Sequence, residues 1–304
     1  MIDINNILAM KPVVSKDYTQ LMNNNDWIAE VKYDGERYLC TILNILRFTS
    51  LHKSSKDDLY VNKTENFPHL KSLKHNLKYT IIDGEILSKT LEDTCAITGS
   101  LPERAIKLQK EIGYVNYRVF DCLVLKGEDI RHKPYHFRRR VAKIIVEELN
   151  SEYVKLSLAS RSNKQELLDN VYKKEGEGIV LKYINSSYYA GKKHKEWFKV
   201  KKEIKVDAVI MDYELGKGKY NKELVGAIVY GAYNKDGILE KWGTVGSMTK
   251  DVIELLTNNK KKYIGKVIEI ECQGYTKAGN LRHPRFKRIR NDKLAIECLK
   301  ERQI

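Results

Sequence analysis

Glu30-Val31-Lys32-Tyr33-Asp34-Gly35-Glu36-Arg37 carries more chemistry per residue than any other stretch of this chain. Val31-Lys32-Tyr33 reads as the end of a strand, and Asp34-Gly35 as the tight turn that follows it. Such a turn would place Lys32, Asp34 and Arg37 around one cavity at the mouth of a sheet. That cavity would hold an amine nucleophile, a carboxylate for a metal and a fork of donors for phosphate. An exposed hairpin with a salt bridge has the same letters, so the surrounding sequence has to decide.

The chain has 304 residues, with 55 Lys and Arg against 40 Asp and Glu, a net charge of +15. Its length allows one large domain or two medium ones, each with a core. A hydrophobic fraction of 42% excludes a disordered chain. The positive balance favours a polyanionic partner. Nucleic acid comes before membrane, because no basic amphipathic helix stands out. Cys40, Cys95, Cys122, Cys272 and Cys298 are scattered, with no Cys-x-x-Cys pair. That spacing argues against a zinc site or a disulfide framework and fits a reducing compartment. No signal peptide or long apolar run is visible, so a cytoplasmic protein is expected.

Outward from the lysine, Trp27 to Leu46 alternates like a hairpin. Tyr79 to Leu87 reads as a second strand–turn–strand about Asp83-Gly84. A short helix is expected near Leu70 to His75, and longer ones over Pro102–Ile112, Phe137–Asn150 and Asn163–Glu175. Tyr117–Leu125 and Gly178–Lys182 read as apolar strands. Near Lys201 the texture changes, after seven lysines between Gly191 and Lys205. Short strands follow at Asp207–Tyr213, Leu224–Tyr233, Lys241–Gly246 and Lys266–Gly274, with one helix at Thr249–Asn258. That pattern suits a small barrel of the oligonucleotide-binding type. Two domains are expected, 1–202 and 203–304, with a hinge near 202–206.

Four further groups could carry chemistry. Glu85 and Glu177 each sit beside a glycine and enter an apolar strand. Either alone is an ordinary strand-end residue, but together they could converge on a metal or a ribose. Phe120, a core residue by default, could offer its face to a nucleobase. In Trp197-Phe198-Lys199-Val200-Lys201 the two lysines share one side, and their repulsion calls for an anion. Arg282 to Lys293 holds six cations, and its Arg290-Asn291-Asp292-Lys293 could grip a leaving pyrophosphate.

In this order the stretches resemble the ATP-dependent DNA ligases of the covalent nucleotidyltransferase superfamily, from about Lys11 to Lys293. Lys32, Asp34, Gly35 and Arg37 match Lys-x-Asp-Gly-x-Arg. Asp83-Gly84-Glu85, Phe120, Glu177 to Lys182, Trp197-x-Lys199-x-Lys201 and Arg290-x-Asp292-Lys293 match the later motifs. Ile97 to Ala105 and Arg282 to Phe286 also look like stretches of DNA-sealing members. One departure stands out: Leu51 occupies the place of an arginine that the family uses at the nick 5′-phosphate, leaving Arg47, His52 or Lys53 as substitutes.

The resemblance implies an α+β fold: an ATP-grasp-like nucleotidyltransferase domain of antiparallel sheets and helices, then an OB-fold barrel. It implies ATP and Mg²⁺ as cofactors, nicked double-stranded DNA as partner, and a monomer of minimal viral or bacterial type without an added N-terminal DNA-binding domain. Lys32 would be the catalytic nucleophile, assisted by Arg290, Asp292 and Lys293. Glu30, Lys32, Arg37, Glu85, Phe120, Glu177, Lys182, Lys199 and Lys201 would hold the nucleotide. Asp34, Glu85 and Glu177 would hold the metal. The amine must be neutral to attack, and nearby cations would favour that state. An RNA ligase or a capping guanylyltransferase of the same superfamily shares this chemistry. A non-catalytic nucleic-acid-binding module is the alternative from another class.

Overall fold

The strands flanking Asp34-Gly35, Trp27–Lys32 and Glu36–Ile42, do not pair with one another: they belong to two different sheets. The expected hairpin is therefore a crossover. The computed structural model describes residues 8–14, 18–53, 60–217, 222–276 and 278–302. Gly35 is required at the crossover by space, since a Cβ there would lie 2.2 Å from the carbonyl oxygen of Ile86.

The chain folds as two compact units, 1–200 and 201–304. The first begins with β1 (Lys11–Val14), α1 (Thr19–Asn23), β2 (Trp27–Lys32), β3 (Glu36–Ile42), β4 (Leu46–Lys53) and β5 (Tyr60–Asn62). Next come α2 (Pro68–Lys71), β6 (Thr80–Leu87), α3 (Leu91–Gly99), α4 (Pro102–Ile112), β7 (Asn116–Leu125) and β8 (Glu128–Asp129). It closes with α5 (Tyr135–Leu149), β9 (Val154–Leu156), β10 (Ala159–Ser160), α6 (Lys164–Lys173), β11 (Gly178–Tyr183) and β12 (Lys193–Lys201).

One sheet runs β1-β12-β11-β2-β10 and the other β5-β4-β3-β6-β7-β8, with β9 on β7. β1 on β12 and β9 on β7 are parallel, whereas β2 pairs antiparallel with β10 and β11, and β3 with β4 and β6. Asp83-Gly84 is no turn: β6 runs straight through it. A Cβ at Gly84 would meet the Tyr117 ring at 2.7 Å, so the glycine serves packing against β7.

Period-two alternation gives each sheet two faces. The first sheet buries Ala29, Ile179, Leu181 and Val200 against Leu168 and Val171 of α6. The second buries Tyr38, Phe48, Phe67 and Tyr117 in one cluster. Three edge-to-face pairs join them, at 5.7, 5.7 and 5.2 Å, each contributing about 0.5–1.5 kcal/mol beyond area burial. The remaining faces meet across a third cluster, which includes Leu39, Ile81, Leu123, Tyr135, Tyr188 and Trp197.

The second unit contains β13 (Ile204–Leu215), β14 (Val225–Tyr233), β15 (Leu239–Val245), α7 (Lys250–Asn258), α8 (Lys260–Tyr263), β16 (Val267–Cys272) and β17 (Arg285–Arg290). Its sheet, β15-β14-β13-β16-β17, is wholly antiparallel. Val206, Ala208, Ile210, Ile228, Tyr230, Trp242, Ile268 and Ile270 fill its core, with Leu256 of α7 packed in. This is OB-fold architecture. Its fifth strand, β17, lies inside the stretch that reads as a basic patch. Phe286 and Ile289 give it an apolar side that the charges mask. Among the described residues no helix is long and apolar enough to cross a membrane.

Candidate active site

The site lies in the first unit, between its two sheets. On β2, Ile28, Glu30 and Lys32 share a face, and β11 sets Lys182, Val180 and Gly178 opposite them. On β3, Arg37 lies opposite Glu85 of β6, with Asp83 two residues before it on the same face.

The Lys32 amine is ion-paired with the carboxylate of Glu177. The charge it touches is therefore an anion, where the sequence led us to expect cations. Glu85 feels Lys32, Arg37, Asp83 and Glu177, which places all of them around one point. Burial is the largest influence on Glu85 and pushes its pKa up to about 7, although Lys32 and Arg37 pull the other way. Among the described residues the Glu85 carboxylate has no hydrogen bond or ion pair. It is a carboxylate set to meet a cation.

Arg37 does not reach into open space. Its Nε and one terminal nitrogen grip both oxygens of Asp83 at 2.9 and 2.5 Å, and the other terminal nitrogen donates to the Met10 carbonyl at 2.7 Å. The Tyr188 hydroxyl donates to Asp83 at 2.7 Å. Burial works against the guanidinium charge and Asp83 more than restores it, so the Arg37 pKa is raised.

Glu30 is buried and answers three donors: Tyr135, Arg139, and Lys182 at 2.6 Å. The Lys182 ammonium lies 4.5 Å from the Phe120 ring centre and 4.1 Å from that of Trp197. Burial lowers its pKa, with Glu30 opposing. The Arg37 guanidinium carbon is 5.1 Å from the same Phe120 ring. Phe120, half-buried, packs on the inter-sheet cluster and faces both Lys182 and Arg37. Behind it, Asp121 and Arg138, both fully buried, form a two-point pair at 2.9 and 3.0 Å.

Phe198 and Val200 pack on the α6 side and Trp197 between the sheets, so Lys199 and Lys201 ride on the Trp197 face. Asp34 is not brought to Glu85. Its charge acts instead on Cys95, together with Glu36 and Glu92. Among the described residues, no group of three or more His, Cys, Asp or Glu side chains is placed to hold a metal. The expected trio of Asp34, Glu85 and Glu177 is thus not gathered as one cluster among the described residues, while Glu85 and Glu177 do act on one another. Leu51 packs against the inter-sheet cluster, Arg47 is exposed, and Lys53 lies against Tyr60 at 5.9 Å. The His52 side chain lies outside what the structure describes.

On the barrel, Arg290 grips Asp292 at 2.8 and 2.9 Å and reaches Asp207 at 3.2 Å. Lys293 meets the same Asp207 at 2.8 Å. Hydrogen bonds from Arg290 hold the Asp292 carboxyl down to about 2.

A family model for the ATP dependent DNA ligase domain matches residues 8–201, which contain every cleft residue named above. The chain belongs to the ATP-dependent DNA ligase family. It is 26% identical to the DNA ligase of vaccinia virus strain Ankara over 87% of this chain and 56% of that protein. It is 28% identical to the DNA ligase of Methanocorpusculum labreanum over 87% of this chain and 52% of that protein. It thus spans about half the length of the curated relatives it matches. The solved ligase domain of M. tuberculosis LigD shares the fold, with a TM-score of 0.55 at 19% identity, covering 97% of this chain and 99% of that one.

The motif residues are held both by one another and by partners outside the motifs. Asp83 fixes Arg37, Arg139 and Tyr135 fix Glu30, and Arg138 fixes the strand of Phe120. The available signal was an acid inside an apolar strand, Asp121, and the run Arg138-Arg139-Arg140 on a helix whose other face is apolar.

Proposed function

We propose that this chain is an ATP-dependent DNA ligase that seals nicks in duplex DNA through a lysyl-AMP intermediate. The observation that carries this reading is the Lys32 amine held on Glu177, facing Glu85 and Arg37 across one cleft.

In the first step the lone pair of Lys32 Nζ attacks the α-phosphorus of ATP. A phosphorus–nitrogen bond forms, the bond to the bridging oxygen breaks, and pyrophosphate leaves. Glu177 is positioned to orient the amine and to accept its proton. In the second step an oxygen of the nick 5′-phosphate takes the AMP, and Lys32 leaves as the amine. In the third the 3′-hydroxyl attacks that 5′-phosphate and AMP departs. Phe120 offers its ring to adenine once Lys182 moves off it, and Glu30 restrains Lys182 through their ion pair. Arg290, Asp292 and Lys293 are assigned to the departing pyrophosphate, and Lys199 and Lys201 to the other phosphates. Glu85 and Glu177 fit Mg²⁺, which when bound neutralises phosphate charge. Net positive charge grips the DNA backbone without sequence preference, so binding weakens with salt.

The test is Lys32→Ala, incubated with radiolabelled ATP, Mg²⁺ and a singly nicked duplex. No protein label and no sealing of an ordinary nick are expected, with residual closure of a pre-adenylylated nick. A normally labelled variant would refute the assignment. Wild-type chain that labels with GTP, or joins only nicked RNA, belongs to the capping or RNA-sealing alternative.

A further inference from the structure

Helix α5 presents two faces to the first unit. Its buried side supplies Tyr135, Arg138, Val141 and Ala142 to the interior. Its other side carries His136, Arg139, Arg140 and Lys143, at offsets of three, four and seven residues. These four positions share one stripe of the helix, and cations at such spacing repel one another. The stripe borders a cavity of about 270 Å³. Ile28, Leu156, Ile184 and the ring of Tyr135 make its apolar wall, and Arg161 joins the cations at its rim.

No carboxylate lines this cavity. Arg161 donates to a neutral carbonyl, that of Asn25, at 2.6 Å. Among the described residues Arg140 has neither a hydrogen bond nor an ion pair. Lys143 has only a loose surface contact with Glu147 at 3.7 Å. Arg139 alone is answered, by Glu30 on its inner side and by the Ser157 carbonyl at 2.6 Å. None of Lys32, Arg37, Glu85, Phe120, Glu177 or Lys182 lines the cavity, which adjoins the cleft through Tyr135 and Arg139, both bonded to Glu30.

Concentrated positive charge beside an apolar wall, with no carboxylate lining the cavity and only Glu30 and Glu147 behind it, selects a ligand carrying both features. We propose that this cavity binds a small organic phosphate: a dianion held by Arg140, Arg161 and Lys143, on a compact apolar body resting against Ile28, Leu156 and Tyr135. The volume lies at the low end for ligand sites and limits the body to about one ring. A duplex backbone fits less well, because the apolar wall would face sugar edges. Arg139 lines the cavity and also holds Glu30, which shares Lys182. Occupancy is therefore transmitted to the lysine over Phe120. That transmitted effect rests on the assignment of Phe120 to adenine; the binding itself does not.

The test is calorimetric titration of the whole chain with phenyl phosphate, phenol and inorganic phosphate. The same titrations are run on the double variant Arg140→Ala/Arg161→Ala, whose substitutions are at exposed positions and whose folding is checked by its thermal midpoint. Saturable binding of phenyl phosphate is expected, tighter than that of either fragment. It should weaken by roughly tenfold or more in the variant, the loss of a charge-assisted hydrogen bond. Excess ATP with a chelator should not displace it. Absence of saturable binding, equal binding by phenol, unchanged affinity in the folded variant, or displacement by ATP would each overturn the proposal. So would a variant that loses affinity for nicked duplex but keeps phenyl phosphate, since its cations would then serve DNA. These readouts need no protein adenylylation, so they separate from the outcome with Lys32→Ala.

Discussion

The cleft of the first unit and the β17 edge of the barrel handle positive charge in opposite ways. In the cleft the cations are buried or half-buried against buried carboxylates: Arg37 has Asp83, Arg138 has Asp121, Lys32 has Glu177, and Lys182 shares Glu30 with Arg139. On the barrel the carboxylates are shared. Arg285 and Lys287 both meet Glu271, at 3.1 and 2.9 Å, while Arg288 meets Glu269 at 3.1 Å and Arg290 and Lys293 divide Asp207. Several of these side chains are largely exposed to water. Dedicated buried pairs fix geometry, because the low dielectric punishes any alternative. Shared pairs whose cations face water, although Glu269 and Glu271 themselves are buried, can be exchanged for phosphate oxygens at smaller cost. The contrast separates a rigid cleft from a pliable basic edge.

The largest break in that contrast is Arg138→Met. It leaves Asp121, whose pKa burial already raises, without its counter-charge, and should cost about 3–5 kcal/mol of stability in urea unfolding. A loss below about 1 kcal/mol, the range of an exposed pair, would erase the distinction.

Arg290→Ala tests the other pole. It should slow protein adenylylation by about a hundredfold, the usual effect of removing one preorganised donor, while closure of a pre-adenylylated nick is largely kept. Equal losses in the two assays would reject a role confined to the departing pyrophosphate.

Glu85 sharpens the cleft side through pH. Its pKa is about 7 in the folded chain against 4.5 when unperturbed. Between those values the folded chain keeps a proton that the unfolded chain has lost, so this group makes stability fall as pH rises through the window. Glu85→Gln should therefore be more stable than the parent above pH 7, by on the order of 1–2 kcal/mol after allowance for partial exposure, with the advantage gone below pH 4.5. Thermal midpoints in metal-free buffer would show it, and an unchanged difference across the window would contradict it.

The smallest effect is the stability of Asp292→Asn. Its exposed carboxyl is held near 2 by Arg290, yet the thermal midpoint at neutral pH should stay where it is. A drop comparable to that of Arg138→Met would mean the barrel edge is as rigid as the cleft.

Much of this was legible in the letters. Helix α4 appears over Pro102–Ile112 as its proline and terminal charges require, and the alternation of Trp197 to Lys201 puts the lysines on one side and Phe198 and Val200 on the other. The misreadings have a common cause. Asp34-Gly35 and Asp83-Gly84 look alike as turn signals, but one glycine makes room for a sheet-to-sheet crossover and the other for the Tyr117 ring. Local sequence does not say what will approach a missing side chain.

What the sequence determined by itself was the inventory: an amine before Asp-Gly, two glutamates entering apolar strands, an aromatic in a third, and a cationic C-terminal stretch. Residue type and spacing suffice for that, because strand alternation and motif order are local properties. Only the tertiary structure decided the pairings. Lys32 met Glu177 across 145 residues, Glu30 met Arg139 across 109, and the Asp34 charge came to act on Cys95 of α3. Such pairs depend on which sheet each strand enters, and long-range packing settles that after the local pattern has said all it can.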